Sequence, residues 1–313
     1  MTSSTAPEAR TVLVTGAAGF IGSALCQRLC ALGHKVIGYD NLSRGRREYL
    51  PAAARLVEGD IRDPDRFRET IHQARPDWLI HLAAMHFIPE CIAHPEETMD
   101  VNVEGTRRVL DACRDGAVGS VVVASSAAVY APSDEPCDEE RTPLRPLEVY
   151  GDSKLEAEKL ARAFHVATGI PTTVLRLFNA IGRNETNPHV VPHILESLQR
   201  SDVIDLGNTA PRRDYIDTRD IAEAILAVSQ SPSAFRILNV GTGAAYSVDE
   251  VVESLRRILR RPITVVQDPS RLRASERMLL EANIGRIHAA TGWRPELSLE
   301  STLRDLVAAY RLE

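Results

Sequence analysis

The sequence predicts an α/β fold, in which a doubly wound parallel sheet with helices on both faces precedes a smaller C-terminal α/β lobe. Short β-branched runs alternate with segments of helical periodicity in the first half of the chain, as in parallel sheets. A glycine-rich turn follows the first run. With 313 residues, 44% of them hydrophobic, the chain can bury a large core. We assign residues 1–178 to the sheet domain and 179–313 mainly to the smaller lobe, with segments near 213–240 returning to the sheet.

The first elements are assigned from short runs of sequence. The segment TVLVTG is a strand that ends in glycine, and FIGSALCQRLCALG has apolar residues at helical spacing closed by Gly33. The segment DPDRFRETIHQARP is a helix with an Asp or Pro start. Three further strands are expected at KVIGYD, ARLVEGD and DWLIHLAA.

The alternation continues to the middle of the chain and then becomes less regular. Helices are expected around 95–114 and 150–168, with strands at SVVVAS and TTVLRLF. Beyond them, NPHVVPHILESLQ is helical, and DYI and RILNVG are short extended segments. A ligand should therefore lie in the cleft between the two lobes, outside the carboxyl ends of the strands.

Composition excludes several classes of partner. The formal net charge is −6 and the arginines are scattered, so neither nucleic acid nor an anionic membrane is expected. The leader MTSSTAPEAR lacks the apolar core of a secretory signal, and no run approaches the roughly twenty apolar residues of a membrane span. We expect a cytoplasmic protein. Its five cysteines lack metal-ligand spacing, so reduced structural thiols and no bound metal are expected.

The segment TGAAGFIG places Gly16, Gly19 and Gly22 between a strand and a helix. Backbone can approach a pyrophosphate closely where side chains are absent, and a helix N-terminus supplies N–H groups and positive potential. Asp40 ends the second strand, where a carboxylate accepts hydrogen bonds from ribose hydroxyls and repels a 2′-phosphate. This context predicts a dinucleotide-binding Rossmann fold that prefers NAD to NADP.

Two further features bear on the same ligand. Arg44, Arg46 and Arg47 follow Asp40 closely and could accept a 2′-phosphate. Asp60 and Ile61 end the third strand region, where they could border the adenine, although Asp60 could instead cap the next helix.

Tyr150 and Lys154 lie four residues apart at the start of a predicted helix, so their side chains share one face. An ammonium group beside a phenol favours the phenolate, so we expect Lys154 to lower the pKa of Tyr150. Tyr150 could then act as a general base on a sugar hydroxyl. Ser126, at the end of a strand, could hydrogen-bond the same oxygen.

The order TGAAGFIG, Asp40, HLAA, Asn102, SSAAVY, YGDSK and RLFN resembles the extended short-chain dehydrogenase/reductase family of nucleotide-sugar enzymes. Within that family the sequence is most similar to the UDP-glucose 4-epimerase branch, over nearly the whole chain. The resemblance implies Ser126, Tyr150 and Lys154 as catalytic residues. The residues expected to bind NAD are Gly16, Gly19, Phe20, Ile21, Gly22, Asp40, Asn41, Asp60, Ile61, Leu82, Ala83, Ala84, Asn102, Tyr150, Lys154 and Phe178.

Ala127 and Ala128 follow Ser126 at positions that separate two reaction types. In the similar 4,6-dehydratases an Asp-Glu pair follows a threonine here, because eliminating water requires an acid and a base. The related decarboxylases carry a glutamate nearby. Two alanines leave a site that can move a hydride and one hydroxyl proton, as epimerisation or ketoreduction requires. Val149 and Ala131 also depart from the proline and glycine that are usual in the family.

The resemblance also implies where a nucleotide sugar would bind. Asn179 and Arg213 match residues that contact the diphosphate, and Arg273 with Glu276 matches a pair for phosphate and ribose; either arginine could instead form a surface salt bridge. The other expected substrate residues are His86, Ser126, His189 and Val190. His86 could instead cap its loop, and Leu280 either limits bulk at the sugar C2 or packs in the core.

These features predict an NAD-dependent 4-epimerase of a nucleotide-diphosphate sugar, with a UDP-hexose as substrate. A 4-ketoreductase would use the same residues and would consume reduced cofactor at each turnover. A non-catalytic NAD-binding module is a third alternative. The helices around 95–114 and 150–168 match those that pair across the interface in similar proteins, so we expect a homodimer.

Overall fold

The computed structural model describes residues 8–116, 118–269 and 277–312. Its strands, in chain order, are β1 (Thr11–Thr15), β2 (Lys35–Asp40), β3 (Arg55–Glu58), β4 (Trp78–His81), β5 (Ser120–Ser126), β6 (Thr172–Leu177), β7 (Asn179–Ile181), β8 (Val203–Leu206), β9 (Arg212–Asp217), β10 (Phe235–Val240), β11 (Ala245–Ser247), β12 (Thr264–Gln267) and β13 (Leu279–Leu280).

The helices are α1 (Phe20–Ala31), α2 (Pro64–Ala74), α3 (Ile88–Ala93), α4 (Pro95–Met99), α5 (Gly105–Asp115), α6 (Val149–Thr168), α7 (Val190–Leu198), α8 (Thr218–Gln230), α9 (Val248–Leu259), α10 (Gly285–Thr291) and α11 (Leu299–Ala309). A π-helical turn, Asp100–Glu104, joins α4 to α5, and a 3₁₀ turn, Ala127–Val129, follows β5.

The central sheet has seven strands, all parallel, in the order β10-β6-β5-β4-β1-β2-β3. The strand order reverses between β1 and β4, so the loops that leave these strands diverge and open a crevice at their carboxyl ends. This topology confirms the predicted doubly wound α/β fold. The strand β10 comes from beyond residue 178 and completes the sheet beside β6.

Alternating side chains of the strands bury two apolar layers. Val12 and Val14 face the layer that packs against α1 and α8, whereas Leu13 faces the layer that packs against α2 and α5. All three side chains are fully buried. The β-branched runs form strands because both faces of a parallel sheet are covered by helices.

The smaller lobe is built on a second sheet, in which β9 pairs with β7, β11 and β13. A separate apolar cluster of α7, α9 and α11 stabilises it. Asp214 on β9 is fully buried and accepts hydrogen bonds from Thr242 Oγ1 at 2.6 Å and from the backbone N–H groups of Gly243 and Ala282 at 2.9 and 3.2 Å. These bonds fix β9, and with it Arg213, against the loops that close the lobe.

The predicted helix around 95–114 forms as two helices joined by the π-helical turn. A π turn adds one residue to a helical turn and is often found at functional sites. Its effect here is to change the face on which Asn102 lies, which periodicity alone does not reveal.

All five cysteines are unpaired thiols. Burial raises the pKa of Cys91 above its usual value, as expected for a packed residue. Among the helices of the described segments, none is long and apolar enough to span a membrane.

Candidate active site

A cavity of about 820 Å³ lies at the carboxyl ends of the central strands and extends to the second lobe. Its wall includes Gly16 at one end and Tyr310 at the other, with Tyr150 between the two lobes. Of the predicted site residues that the structure describes, Asn102 alone does not line this cavity. The fold therefore brings residues from many separate segments of the sequence, between Gly16 and Tyr310, to one cavity.

The glycine turn forms one end of the cavity. Gly16 has a φ of +68°, and a Cβ there would lie 2.8 Å from the Ala83 nitrogen. A Cβ on Gly22 would overlap the Gly16 carbonyl oxygen. The N-cap of α1 is Gly19, and no side chain caps the helix. A shallow surface of backbone N–H groups therefore faces the cavity, and it fits a pyrophosphate.

Asp40 lies beside this turn and is 7% exposed. Its carboxylate accepts hydrogen bonds from the backbone nitrogens of Ala18 at 2.9 Å and Leu42 at 2.8 Å. Burial raises the pKa of Asp40, and these two bonds act in the opposite direction. The carboxylate thus holds the glycine turn and the loop after β2 together at the cavity.

The three arginines that follow Asp40 each lie near a glutamate. Arg44 pairs with Glu90 at the rim of the cavity, Arg47 lies 3.2 Å from Glu58, and Arg46 lies 4.0 Å from Glu48. These contacts leave Asp40 as the charged group nearest the turn and favour a ligand without a 2′-phosphate.

Asp60 accepts hydrogen bonds from the Asn41 amide at 2.9 Å and from the Arg62 guanidinium at 3.0 Å, and Arg62 lowers the pKa of Asp60 to about 2. The helix cap is Asp63, which accepts from the Arg66 nitrogen at 3.0 Å. Asp60 therefore does not cap α2, and its carboxylate lines the cavity next to Ile61.

Ser126 ends β5, and Tyr150 and Lys154 lie on the first turns of α6. A hydrogen bond from Ser126 lowers the pKa of Tyr150, but burial is the larger effect and raises that pKa to about 12. Lys154 donates to the Ala124 carbonyl oxygen at 2.9 Å, and burial lowers its own pKa to about 8.

The expectation that Lys154 lowers the pKa of Tyr150 is therefore corrected. The ammonium group is directed at the backbone of β5 rather than at the phenol, and loss of water around Tyr150 dominates. Ser126 is the protein group that stabilises the phenolate in this chain.

Asn102 requires a second correction, because it lies behind the cavity wall. Its side chain accepts from the Met85 nitrogen at 2.8 Å and donates to the Met85 oxygen and to Ser153 Oγ, both at 2.9 Å. Asn102 therefore fixes the loop that carries His86 against the helix that carries Tyr150. The π-helical turn is the physical reason that it faces this loop.

A buried polar network that the sequence did not indicate lies one turn beyond Lys154. Glu158 accepts hydrogen bonds from Ser125 Oγ at 2.6 Å and from Nε and Nη2 of Arg176 at 2.9 and 2.7 Å. Arg176 is 1% exposed and also donates to the Tyr130 hydroxyl at 3.0 Å. The network ties α6 to β5 next to Ser126, and so sets the spacing between Tyr150 and Ser126.

His86, Glu185 and His189 form a cluster on the cavity wall, with ligand-type atoms within 4.8 Å of one another. The Asn187 amide nitrogen lies between them, 3.0 Å from His86 Nε2 and 3.4 Å from a Glu185 oxygen. Burial lowers the pKa of His86 to about 4, so its ring is neutral. The cluster presents polar groups to a ligand without a fixed charge on His86.

The remaining predicted substrate residues lie on the side of the second lobe. Asn179, Val190 and Arg213 line the cavity, and Arg213 donates to the backbone oxygen of Arg277 at 2.8 Å. Arg273 and Glu276 lie outside the described residues. Leu280 is 9% exposed, packs with Val129 and Phe178 and also lines the cavity, so the packing alternative holds and its effect on bulk at the sugar C2 stays a prediction. Arg277 also lines this cavity, and the sequence motifs did not point to it.

The chain belongs to the NAD dependent epimerase/dehydratase family, whose model matches residues 12–241. A UDP-glucose 4-epimerase of Streptomyces lividans is 35% identical over 300 residues, 90% of this chain and 91% of that protein. The solved UDP-glucose 4-epimerase of Brucella ovis in complex with NAD superimposes with a TM-score of 0.89 at 31% identity, covering 96% of this chain and 98% of that one.

Two other similar proteins have different ligands or activities. MoeE5, solved in complex with UDP-glucuronic acid and NAD, is 29% identical with a TM-score of 0.84, covering 93% of this chain and 96% of that one. A GDP-6-deoxy-D-mannose reductase of Pseudomonas aeruginosa is 29% identical over 309 residues, 96% of each protein. The proteins similar to this chain therefore differ in the sugar nucleotide that they bind or act on, and one of them is a reductase.

Proposed function

We propose that this protein is an NAD-dependent 4-epimerase of a nucleotide-diphosphate sugar of the UDP-hexose class. The observation that carries the proposal is that Ser126, Tyr150 and Lys154 line the same cavity as the glycine turn, with Ser126 acting to lower the pKa of Tyr150. The similarity to epimerases over nine-tenths of the chain supports it.

In this proposal the chain moves one proton. Tyr150 takes the proton of the sugar C4 hydroxyl and later returns it, while the Ser126 hydroxyl holds the reacting oxygen and the phenol in line. NAD, when bound, would supply the hydride acceptor and donor for C4, and its positive charge would favour the Tyr150 phenolate. Lys154 remains an ammonium at pH 7, because its pKa is about 8, and offers charge and donors to ribose hydroxyls.

The turn that follows Ser126 restricts the proposed reaction to the transfer of this single proton. Ala127 and Ala128 are 2% and 7% exposed and form the 3₁₀ turn together with Val129. Neither alanine can act as an acid or base, so elimination of water has no catalytic groups in this turn. The 4-keto sugar would turn about its diphosphate, with Asn179, His189, Val190 and Arg213 as the proposed anchor.

The proposal is tested by a proton NMR time course in D₂O of the purified protein with UDP-glucose and no added cofactor. The expected result is a C4-inverted product with no deuterium in the ring, because the hydride is retained within the site. Loss of water from the sugar would contradict the proposal.

A 4-ketoreductase is the second candidate, and the similarity to the GDP-sugar reductase favours it. It would need the same Ser126 and Tyr150, but each turnover would oxidise one NADH or NADPH. Absorbance at 340 nm during turnover of a keto sugar separates the two candidates, since an epimerase gives no net change.

We further propose a homodimer that pairs α5 and α6 of each protomer, as the resemblance to similar proteins implies. On α6 the side chain of Val166 is 78% exposed and offers a position at which to test this pairing. Light scattering after size exclusion tests this proposal, and a Val166→Asp variant is expected to shift the mass toward the monomer.

A further inference from the structure

Arg277 holds a buried guanidinium group that has no ionic partner within the described part of the chain. The residue is 8% exposed, and its Nη2 donates to the Ala128 carbonyl oxygen at 2.9 Å. Its Nε is buried and has no hydrogen-bond partner there. Glu148 acts on it electrostatically without forming an ion pair within 4.0 Å. Because a buried charge needs a partner and the described residues supply none, we take a ligand as the source of the anion.

The position of this group is set by two contacts. Its backbone oxygen accepts from Arg213, whereas its side chain reaches Ala128 in the turn after Ser126. The Ala128 oxygen lies against Gly151, since a Cβ on that glycine would be 2.7 Å away. Gly151 follows Tyr150, so the guanidinium lies at the end of the cavity that holds the proton-transfer residues.

The chemistry of a hexose then decides which anion fits. If C4 reacts at Tyr150 and Ser126, the diphosphate on C1 lies at the opposite end of the sugar ring. The ring carbons next to C4 are C3, which carries a hydroxyl group, and C5, which carries C6. An anionic group close to the reacting carbon is therefore the carboxylate of a hexuronic acid rather than a phosphate.

We propose that Arg277 binds the C6 carboxylate of the substrate, and that the preferred substrate is a nucleotide-activated hexuronic acid. A guanidinium group can donate two parallel hydrogen bonds to a carboxylate, and in a buried site these bonds are strong. This inference rests on the proposed 4-epimerase function and deepens it by naming the substrate class.

The test compares kcat/KM for UDP-glucuronate and UDP-glucose. The wild-type protein should prefer UDP-glucuronate, and Arg277→Met should lower the ratio of the two values about 10- to 100-fold. Arg277→Lys should lower it less, because it keeps a charge but loses the paired donors. Arg261→Gln is the matched control, since Arg261 also donates to a backbone carbonyl but pairs with Asp202 at 3.1 Å and lies outside the cavity wall.

Three results would overturn the inference. One is a wild-type preference for UDP-glucose. Another is an equal loss of kcat/KM for both sugars in Arg277→Met, which would place the guanidinium on the shared diphosphate or in a structural role. The last is no change in the kcat/KM for UDP-glucuronate in Arg277→Met, which would leave the guanidinium without a role in binding this substrate.

A binding measurement separates this inference from the proposed reaction. In the Tyr150→Phe variant, calorimetry should show tighter binding of UDP-glucuronate than of UDP-glucose, with the difference removed by adding Arg277→Met. That result would support the carboxylate subsite even if the wild-type protein epimerised neither sugar. Equal affinities for the two sugars in Tyr150→Phe would contradict it.

Discussion

The two ends of the cavity are built in different ways. The glycine-turn end is formed within the first 84 residues, by backbone of the loops after β1, β2 and β4. The sugar end combines residues from separate segments, from Ser126 through Asn187 to Arg277, and side chains form most of it. The first end depends on the absence of side chains, and the second on their exact identity. Changes at the first end should therefore alter cofactor binding, and changes at the second should alter turnover and specificity.

The largest expected effect tests whether turnover at the sugar end can be lost while cofactor binding at the glycine-turn end is kept. Tyr150→Phe should lower kcat about 1,000-fold, because no other described side chain in contact with Ser126 can take the proton. The variant should still retain NAD, measured by absorbance of the released cofactor after denaturation. Tyr246→Phe on β11 is the control and should turn over normally. Loss of NAD together with activity would show that the two ends are coupled.

At the other end, Gly22→Ala should weaken NAD binding about 10- to 100-fold, because the added methyl group overlaps the Gly16 oxygen and displaces the turn. Isothermal titration calorimetry of the cofactor-free protein with NAD measures this affinity. Gly33→Asn is the control: Gly33 has a φ of +81° with nothing within 4 Å, and asparagine tolerates that conformation. Unchanged affinity in Gly22→Ala would mean that the turn does not approach the pyrophosphate.

The network between the two ends should act on stability. Glu158→Gln leaves the buried Arg176 without its counter-ion, so the free energy of unfolding should fall by about 3 kcal/mol in a urea titration. Glu156→Gln, which removes an exposed partner of Lys159, should change it by less than about 0.5 kcal/mol. If the two variants have the same free energy of unfolding, the network aligns α6 with β5 without adding to the stability of the fold.

The smallest effect concerns acid sensitivity at the glycine-turn end. His81 hydrogen-bonds to Thr15 at 2.7 Å and to Thr106 at 2.9 Å, and burial lowers its pKa from 6.5 to about 3. Between about pH 6.5 and pH 3, His81 is therefore protonated in the unfolded chain and neutral in the folded chain. His81 should reduce stability by up to about 1.4 kcal/mol per pH unit as the pH falls through that range.

Urea titrations at pH 7, 6 and 5 measure this slope. His81→Gln should make it shallower, whereas His72→Gln, which changes an exposed residue, should leave it unchanged. A slope that is the same in His81→Gln and the wild type would assign the acid sensitivity to other groups.

The sequence predicts the glycine-turn end well because its signals are local. Gly16, Gly22 and Asp40 lie within 25 residues, and strand, turn and helix follow directly in sequence. The sugar end is harder, because Arg277 meets Ala128 across 149 residues and Arg176 meets Glu158 through a sheet and a helix. The assignment of Asn102 to the cofactor came from the family resemblance, which does not reveal that its side chain bonds to Met85 and Ser153.

The ion pair of Arg44 and Glu90 joins the loop after β2 to α3 at the rim of the cavity. We expect this ion pair to act as a closure over a bound dinucleotide, which would make release of the dinucleotide slow compared with turnover. A 4-epimerase ends each cycle with its cofactor in the starting redox state and can work for many cycles without exchange. A 4-ketoreductase must open the same closure once per product. A long residence time of the bound dinucleotide thus suits a 4-epimerase and would limit the rate of a 4-ketoreductase.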